Sequence, residues 1–157
     1  MAPPDVSVRT TIAASAADVW QAVADPRLIV QWSPESTGVR CATDGPLPVG
    51  THFSGSNSNG LWRWSTSCVV VESDPGRAFA FDVSFLGLAV AGWRYEIAAI
   101  PGGVLVEEQW WDRRGRLMTA LGVVGTRVRD RRAHNEAGMR ATLAALTAGM
   151  EAPGPVG

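Results

Sequence analysis

The sequence contains no lysine, and all fourteen of its basic residues are arginine. Catalysis through a lysine Schiff base is therefore excluded, as is the phosphate-binding loop that depends on a lysine. Fifteen acidic residues bring the net charge to −1 at pH 7. Together with 46% hydrophobic residues, this balance is typical of a folded globular protein and not of a disordered or nucleic-acid-coating chain.

Cysteine and histidine are scarce as well. Cys41 and Cys68 form no CxxC spacing, so we expect neither a zinc site nor a disulfide framework, but two reduced thiols in a cytoplasmic protein. His52 and His134 are too far apart to give a metal-ligand spacing. GxSxG, HExxH and GxGxxG motifs are missing too. We therefore predict no metal and no cofactor, and we assign no catalytic residue from a motif.

Long hydrophobic runs are also lacking. The longest apolar stretches, FLGLAVAGW and LMTALGVVG, are too short to span a bilayer, so we expect no stable membrane insertion. The opening residues MAPPDVSVRT have no basic region followed by an apolar run, and we expect no signal peptide. The length fits a single domain, 1–157, with an ordered core from about residue 6 to 151.

The sequence is rich in segments where apolar and polar residues alternate. Four such segments follow one another from Leu61 to Trp110, which predicts an antiparallel sheet with one covered face. In the first of them, Trp62 and Trp64 point to the covered face and Arg63 to solvent. Three shorter strands are predicted earlier in the chain, at Ser7–Ala13, Gly38–Ala42 and Thr51–Gly55.

Helical patterns lie between the early strands and at the C-terminus. SAADVWQAVADP predicts a helix with Ser15 as its N-cap, and RLIVQWSP a second short one. The region Arg114–Glu151 is predicted to be helical, with a kink or break near Gly122 and Gly125. Its predicted buried stripe is Leu117, Leu121, Val124, Val128, Asn135, Met139, Thr142, Leu146 and Met150. We interpret RVRDRR (127–132) as an exposed helix face and expect no nucleic-acid partner.

The element order β–α–α–β(six)–α predicts an α+β fold. In this fold a curved antiparallel sheet of about seven strands wraps around a long C-terminal helix. The segments VSVRTTIAASAADVWQAVADPRLIVQW, VGTHFSGSNSNGLWRWSTSCVVVESDPGRAFAFDV, WRYEIAAIPGGVLVEEQW and DRRAHNEAGMRATLAAL carry a resemblance that covers about 90% of the chain. They resemble the START-like helix-grip superfamily (SRPBCC), and within it the polyketide cyclase/dehydrase and lipid-transport group. The resemblance implies a hydrophobic cavity between the sheet and the C-terminal helix.

The covered face is unusually aromatic. Eight of the twelve aromatic residues point to it in this register: Trp62, Trp64, Phe79, Phe81, Phe85, Trp93, Tyr95 and Trp110. Each ring alone is explained as well by a filled core. The collective pattern and the resemblance favour a pocket. The predicted ligand-binding residues are Trp32, Phe53, Trp64, Phe81, Trp93, Tyr95, Glu108, Trp110, Asn135 and Met139.

Glu108 is the charged residue of this set. It shares its strand face with Val104, Val106 and Trp110, so we expect it to be buried. Two interpretations stay open. Arg131 could reach it from the C-terminal helix and form a structural ion pair. In an apolar pocket it would instead be partly protonated near neutral pH and donate a hydrogen bond to a ligand.

Three functional hypotheses follow. The leading one is the binding of a small hydrophobic or aromatic ligand, lipid- or polyketide-like, with the oligomeric state open between monomer and homodimer. The second is a polyketide cyclase/dehydratase-like enzyme, in which Tyr95 and Glu108 move protons and Asn135 orients a carbonyl group. The third is an interaction module similar to the chaperone-activating branch of the fold, for which an outward Trp111 is the single hint.

Overall fold

A seven-stranded sheet and four helices make up the part of the chain that the computed structural model describes, residues 2–153. The ends of the predicted domain, Met1 and 154–157, lie outside the described residues. The strands are β1 (Val6–Ile12), β2 (Ser36–Arg40), β3 (His52–Asn59), β4 (Trp62–Asp74), β5 (Ala78–Phe85), β6 (Leu88–Ile100) and β7 (Gly103–Asp112). The helices are α1 (Ala16–Ala24), α2 (Pro26–Ile29), α3 (Arg116–Thr126) and α4 (Arg131–Glu151).

The sheet is antiparallel throughout and runs in the order β1-β7-β6-β5-β4-β3-β2. The first strand pairs with the last, with Val8 opposite Glu108, while the other strands follow one another as neighbours. The sheet curls into a half-barrel around the long helix α4. The predicted helix-grip architecture is therefore confirmed.

The two short helices begin where the sequence places their caps. The hydroxyl oxygen of Ser15 accepts a hydrogen bond of 3.1 Å from the backbone N–H of Asp18, which starts α1. Asp25 ends α1 and at once caps α2, accepting from the N–H of Arg27. Pro26 takes the first position of α2. A backbone N–H at this position would have no hydrogen-bond partner within the helix, so proline is tolerated there.

The C-terminal helical region is broken, as expected, but the break lies after Gly122 and Gly125. Helix α3 ends at Thr126, and Arg127 takes a left-handed backbone conformation with φ 57°. Helix α4 begins after Asp130, whose carboxylate accepts a 3.0 Å hydrogen bond from the N–H of Ala133. The predicted helix face RVRDRR is thus wrong for residues 127–130, which form the link between the two helices.

The predicted buried stripe is right for α4 and wrong for α3. Helix α4 buries five residues: Asn135, Met139, Thr142, Leu143 and Leu146. In α3, by contrast, Leu117, Leu121 and Val124 are exposed, and Met118 and Thr126 are buried. Because the chain changes direction at Arg127, the two helices do not share one face. None of the described helices combines the length and apolarity needed to cross a membrane.

The packed core occupies one end of the half-barrel. Ile12, Phe79, Ile97 and Val104 come from four neighbouring strands and are buried there with Leu146 of α4. The opposite ends of β5 and β6 carry Phe85, Val90 and Trp93, which stay partly exposed. The fold thus leaves its free space at the end of the sheet that is distant from this core.

Candidate functional site

A cavity of about 580 Å³ lies between the concave face of the sheet and α4, within the size range of small-molecule sites. Strands β2 to β7 form its wall, and α3 borders it at the open end of the half-barrel. Nine of the ten predicted ligand-binding residues line it: Phe53, Trp64, Phe81, Trp93, Tyr95, Glu108, Trp110, Asn135 and Met139. These side chains therefore border open space between the sheet and the helix.

Trp32, the tenth predicted ligand-binding residue, is not among the residues that line the cavity. Its indole packs at the far end of α4, with Nε1 3.4 Å from the position that a Cβ atom would take on Gly149. Helix α2 ends at Ile29, and the turns that follow carry Trp32 away from the cavity. The neighbouring Ser33 and Pro34 line the cavity in its place.

The stretch from Trp62 to Trp64 follows the predicted alternation with one exception. Trp64 lies in the cavity wall and Arg63 is exposed, as expected from a strand. Trp62, expected inside, is 43% exposed, and the guanidinium group of Arg127 stands 4.6 Å from its ring centroid. Trp62 is the first residue of β4, and its ring meets Arg127 in the link between the helices.

The aromatic rings of the wall contact one another in pairs. Trp93 and Trp110 are partners in the register of β6 and β7, and their ring centroids are 6.4 Å apart. Phe53 and Phe81 meet edge to face at 5.4 Å. Such tilted contacts are favourable for aromatic pairs. The rings therefore stabilise the wall while they present apolar surface to the cavity.

Glu108 is the buried carboxyl group of this wall, 2% exposed. The Tyr95 hydroxyl donates a 2.9 Å hydrogen bond to its Oε1, and its Oε2 has no hydrogen-bond partner among the described residues. Burial raises the pKa of Glu108 to about 8, against the smaller lowering effect of the Tyr95 hydrogen bond. The pKa of Tyr95 is raised well above its usual value, because the hydroxyl is buried and lies beside this carboxyl group. Glu108 is therefore predominantly neutral at pH 7.

Arg131 does not pair with Glu108, so the ion-pair interpretation is wrong. Its guanidinium group instead donates hydrogen bonds of 2.9 and 3.1 Å to the two carboxylate oxygens of Glu35. The same carboxylate lies 2.9 Å from Nε2 of His134. Arg131 also stands 5.6 Å from the ring centroid of Trp64. Glu35, Arg131 and His134 line the cavity together with Trp64. These three polar side chains form the polar side of the cavity and join the loop after α2 to α4.

One remaining prediction concerns the outer face of the sheet. Trp111, the hint of a protein-docking surface, is half-buried, and its indole N–H donates to the carbonyl oxygen of Ala2. On the outer face of the sheet, Arg94 forms ion pairs with Glu72 of β4 and with Glu96 on its own strand. Within residues 2–153, no three His, Cys, Asp or Glu side chains stand close enough together to hold a metal ion.

The sequence of this chain matches a family of known proteins. Residues 3–151 match the family model described as polyketide cyclase / dehydrase and lipid transport. The chain belongs to this family. A search of curated proteins found no match.

Solved structures with the same fold are distant in sequence. The di-domain ARO/CYC StfQ from the steffimycin biosynthetic pathway superimposes with a TM-score of 0.72 at 14% identity over 93% of this chain, and this chain spans 50% of that protein. A Chromobacterium violaceum protein gives 0.70 at 16% identity, over 94% of this chain and 97% of its own. A Polyketide_cyc-like protein from Corynebacterium glutamicum gives 0.62 at 23%, over 94% and 91%. At these identities the likeness shows the fold alone.

Proposed function

We propose that the cavity binds a small apolar or aromatic ligand that carries a carbonyl oxygen, of the polyketide or lipid kind. The observation that carries the proposal is the buried Glu108 in an aromatic wall, whose Oε2 has no hydrogen-bond partner among the described residues. Because the Tyr95 hydroxyl already donates to Oε1, the proton of the carboxyl group belongs on the unpartnered Oε2. A neutral carboxylic acid at this position donates a hydrogen bond to a ligand carbonyl, and the rings supply the apolar contact.

The test is a titration of intrinsic tryptophan fluorescence with fatty acids, sterols, flavonoids and aromatic polyketides. Trp64, Trp93 and Trp110 all line the cavity, so a ligand that enters it changes their emission. For a carbonyl-bearing ligand without a titratable group, we expect the affinity to fall as the pH rises through 8, because Glu108 then loses the donated proton. Glu108→Gln, which keeps the shape and a donor, should remove this pH dependence. A folded sample that responds to no ligand class would contradict the proposal.

The pKa of Glu108 also favours a second candidate, a cyclase/dehydratase-like activity at the same site. A group with a pKa of about 8 exchanges its proton near neutral pH, which suits general acid–base catalysis. In this reaction the ionised Glu108 takes a proton from a carbon beside a carbonyl group and then returns it to a hydroxyl group that leaves as water. Turnover of a polyketide-type substrate that is lost in both Glu108→Gln and Tyr95→Phe supports this candidate. Equal turnover in the wild type and both variants would exclude this candidate activity at Glu108 and Tyr95.

A further inference from the structure

The arginines are concentrated in one segment. Residues 113–132 contain seven arginines and a single acidic residue, Asp130, so the segment carries a net charge of +6 while the whole chain carries −1. Three of the seven arginines are in ion pairs, Arg113 with Asp82, Arg114 with Asp112 and Arg131 with Glu35. The remaining four are exposed and have no acidic partner among the described residues: Arg116, Arg127, Arg129 and Arg132.

Exposed apolar side chains collect at the same place. On α3, Leu117 and Val124 are each 67% exposed. Leu61 is 98% exposed at the turn between β3 and β4, and Leu86 is 86% exposed at the turn between β5 and β6. Of the ten large hydrophobic residues that are exposed in the described chain, seven belong to these two turns and to α3: Leu61, Trp62, Leu86, Leu88, Leu117, Leu121 and Val124.

Strand pairing brings both turns and α3 to one end of the molecule. In the antiparallel register, Ser67 near the start of β4 faces Ser84 near the end of β5. Both turns therefore lie at the same end of the strands. Strand β7 also ends there, with Asp112 opposite Ala91, and leads into α3. The Asn59 amide ties the β3–β4 turn to α3 through a 3.0 Å hydrogen bond to the carbonyl oxygen of Thr126.

This end is also where the cavity reaches the surface. Its lining includes Gly60 from the first turn, Phe85 beside the second turn, and Leu121 and Gly125 from α3. We call the exposed leucines, valine and arginines around the opening the rim: Leu61, Leu86, Leu117, Val124, Arg116, Arg129 and Arg132.

We propose that the rim docks reversibly on an anionic lipid surface. Arginines attract a negatively charged membrane, and leucines that project between them enter the boundary between head groups and acyl chains. The leucines stand on two separate turns and a helix, as protrusions that suit a soft lipid interface. Nucleic acid would engage the arginines and leave the leucines without a role. Docking in this orientation turns the opening of the cavity towards the lipid.

The experiment is co-sedimentation of ligand-free protein with vesicles. One set contains equimolar phosphatidylglycerol and phosphatidylcholine, and the other contains phosphatidylcholine alone. We expect binding to the anionic vesicles, weakened by added salt, and little binding to the neutral ones. No binding to the anionic vesicles at low salt overturns the proposal. The rim residues are not among those that line the cavity, so this outcome is independent of whether the cavity binds a ligand.

Two triple variants separate the contributions of charge and apolar surface. Arg116→Glu/Arg129→Glu/Arg132→Glu is expected to weaken the vesicle partition coefficient by about 100-fold or more. Leu61→Ser/Leu117→Ser/Val124→Ser removes only apolar surface and is expected to weaken it by about 10-fold or more. If the arginine variant loses binding and the leucine variant keeps it, the rim attracts polyanions without entering lipid. That result overturns membrane docking and points to a soluble acidic partner.

A matched control is available elsewhere on the chain. Arg40→Glu/Arg77→Glu/Arg140→Glu changes the net charge by the same amount at exposed positions outside the rim. Val49→Ser/Val71→Ser likewise removes exposed apolar side chains outside the rim. Both control variants should bind the anionic vesicles like the wild type. An equal loss in the arginine control would show that net charge alone decides, and would overturn the assignment to the rim.

Discussion

The Tyr95 hydroxyl donates a 2.9 Å hydrogen bond to Oε1 of Glu108, and the two residues face each other across β6 and β7. Both side chains are buried in a wall that is otherwise largely aromatic and aliphatic. A charge on either group would therefore be poorly solvated, which is why both groups have raised pKa values. The pair can hold a proton at neutral pH that most carboxyl groups have already lost.

The first prediction is a dependence of stability on pH. Glu108 has a pKa near 4.5 when unfolded and about 8 when folded, so the folded state binds the extra proton between these values. Its contribution to stability is complete below pH 4.5 and is lost as the pH rises through 8. Relative to Glu108→Gln, the wild-type free energy of unfolding should fall by at most about 1.4 kcal/mol per pH unit in this window.

Urea unfolding at a series of pH values between 5 and 9, followed by tryptophan fluorescence, measures this difference. Wild type and Glu108→Gln share every other titrating group. The difference between their free energies of unfolding therefore isolates the contribution of Glu108. Glu136→Gln, which changes an exposed glutamate on α4, serves as the control and should run parallel to the wild type. Parallel curves for Glu108→Gln as well would show that the carboxyl group is ionised in the folded protein.

The second prediction concerns Tyr95→Phe. The hydroxyl is the donor that lowers the pKa of Glu108 against the effect of burial, so its removal should raise that pKa further above 8. The variant should also lose about 1 kcal/mol of stability, because one buried hydrogen bond is gone. Carbon-13 NMR of labelled glutamate carboxyl groups, with the Glu108 signal assigned by its loss in Glu108→Gln, measures the pKa. An unchanged or lower value would contradict the proposed role of Tyr95.

The sheet and most of the cavity wall could be predicted from the sequence. Alternation along β6 and β7 placed Trp93, Tyr95, Glu108 and Trp110 on one face, because a strand turns every second side chain to the same side. Once the strands are paired in order, these residues must lie next to one another. Strand periodicity thus carries information about the site as well as about the fold.

The polar cluster and the rim could not be predicted in this way. Glu35 and Arg131 are 96 residues apart, and no periodic pattern relates a loop residue to the first residue of a distant helix. The exposed face of α3 was missed for another reason. Its spacing of Leu117, Leu121 and Val124 is that of a buried stripe, and only the break at Arg127 turns it towards solvent.

The third prediction tests the cavity while Tyr95 and Glu108 stay unchanged. A Cβ atom on Gly55 of β3 would lie 3.5 Å from Oγ1 of Thr66, so a side chain there points into the cavity. Gly55→Val should raise stability by about 0.5–1 kcal/mol, since glycine weakens a strand interior. It should also weaken ligand affinity about tenfold or more, because the valine side chain occupies space in the cavity.

Ser54→Val, on the outer face of the same strand, is the control. Calorimetry and the fluorescence titration measure the two effects, and unchanged affinity in Gly55→Val would argue against this binding site.

The fourth prediction concerns the ion pair that joins the loop after α2 to α4. Arg131 and Glu35 are largely buried, and the guanidinium group holds both carboxylate oxygens. A double-mutant cycle with Glu35→Gln and Arg131→Met should give a coupling energy of about 1–2 kcal/mol, discounted for the exposure that remains.

The exposed pair Arg140–Glu136, one turn apart on α4, is the matched control and should give about 0.3–0.5 kcal/mol. Added salt should reduce the coupling of the control pair more than that of Arg131 and Glu35, because solvent ions screen exposed charges better than buried ones. Urea unfolding of the four proteins in each cycle, at low and high salt, supplies the values. Equal coupling energies in the two cycles would mean that the Arg131–Glu35 pair is solvated like a surface pair, and that it does not hold the loop against α4.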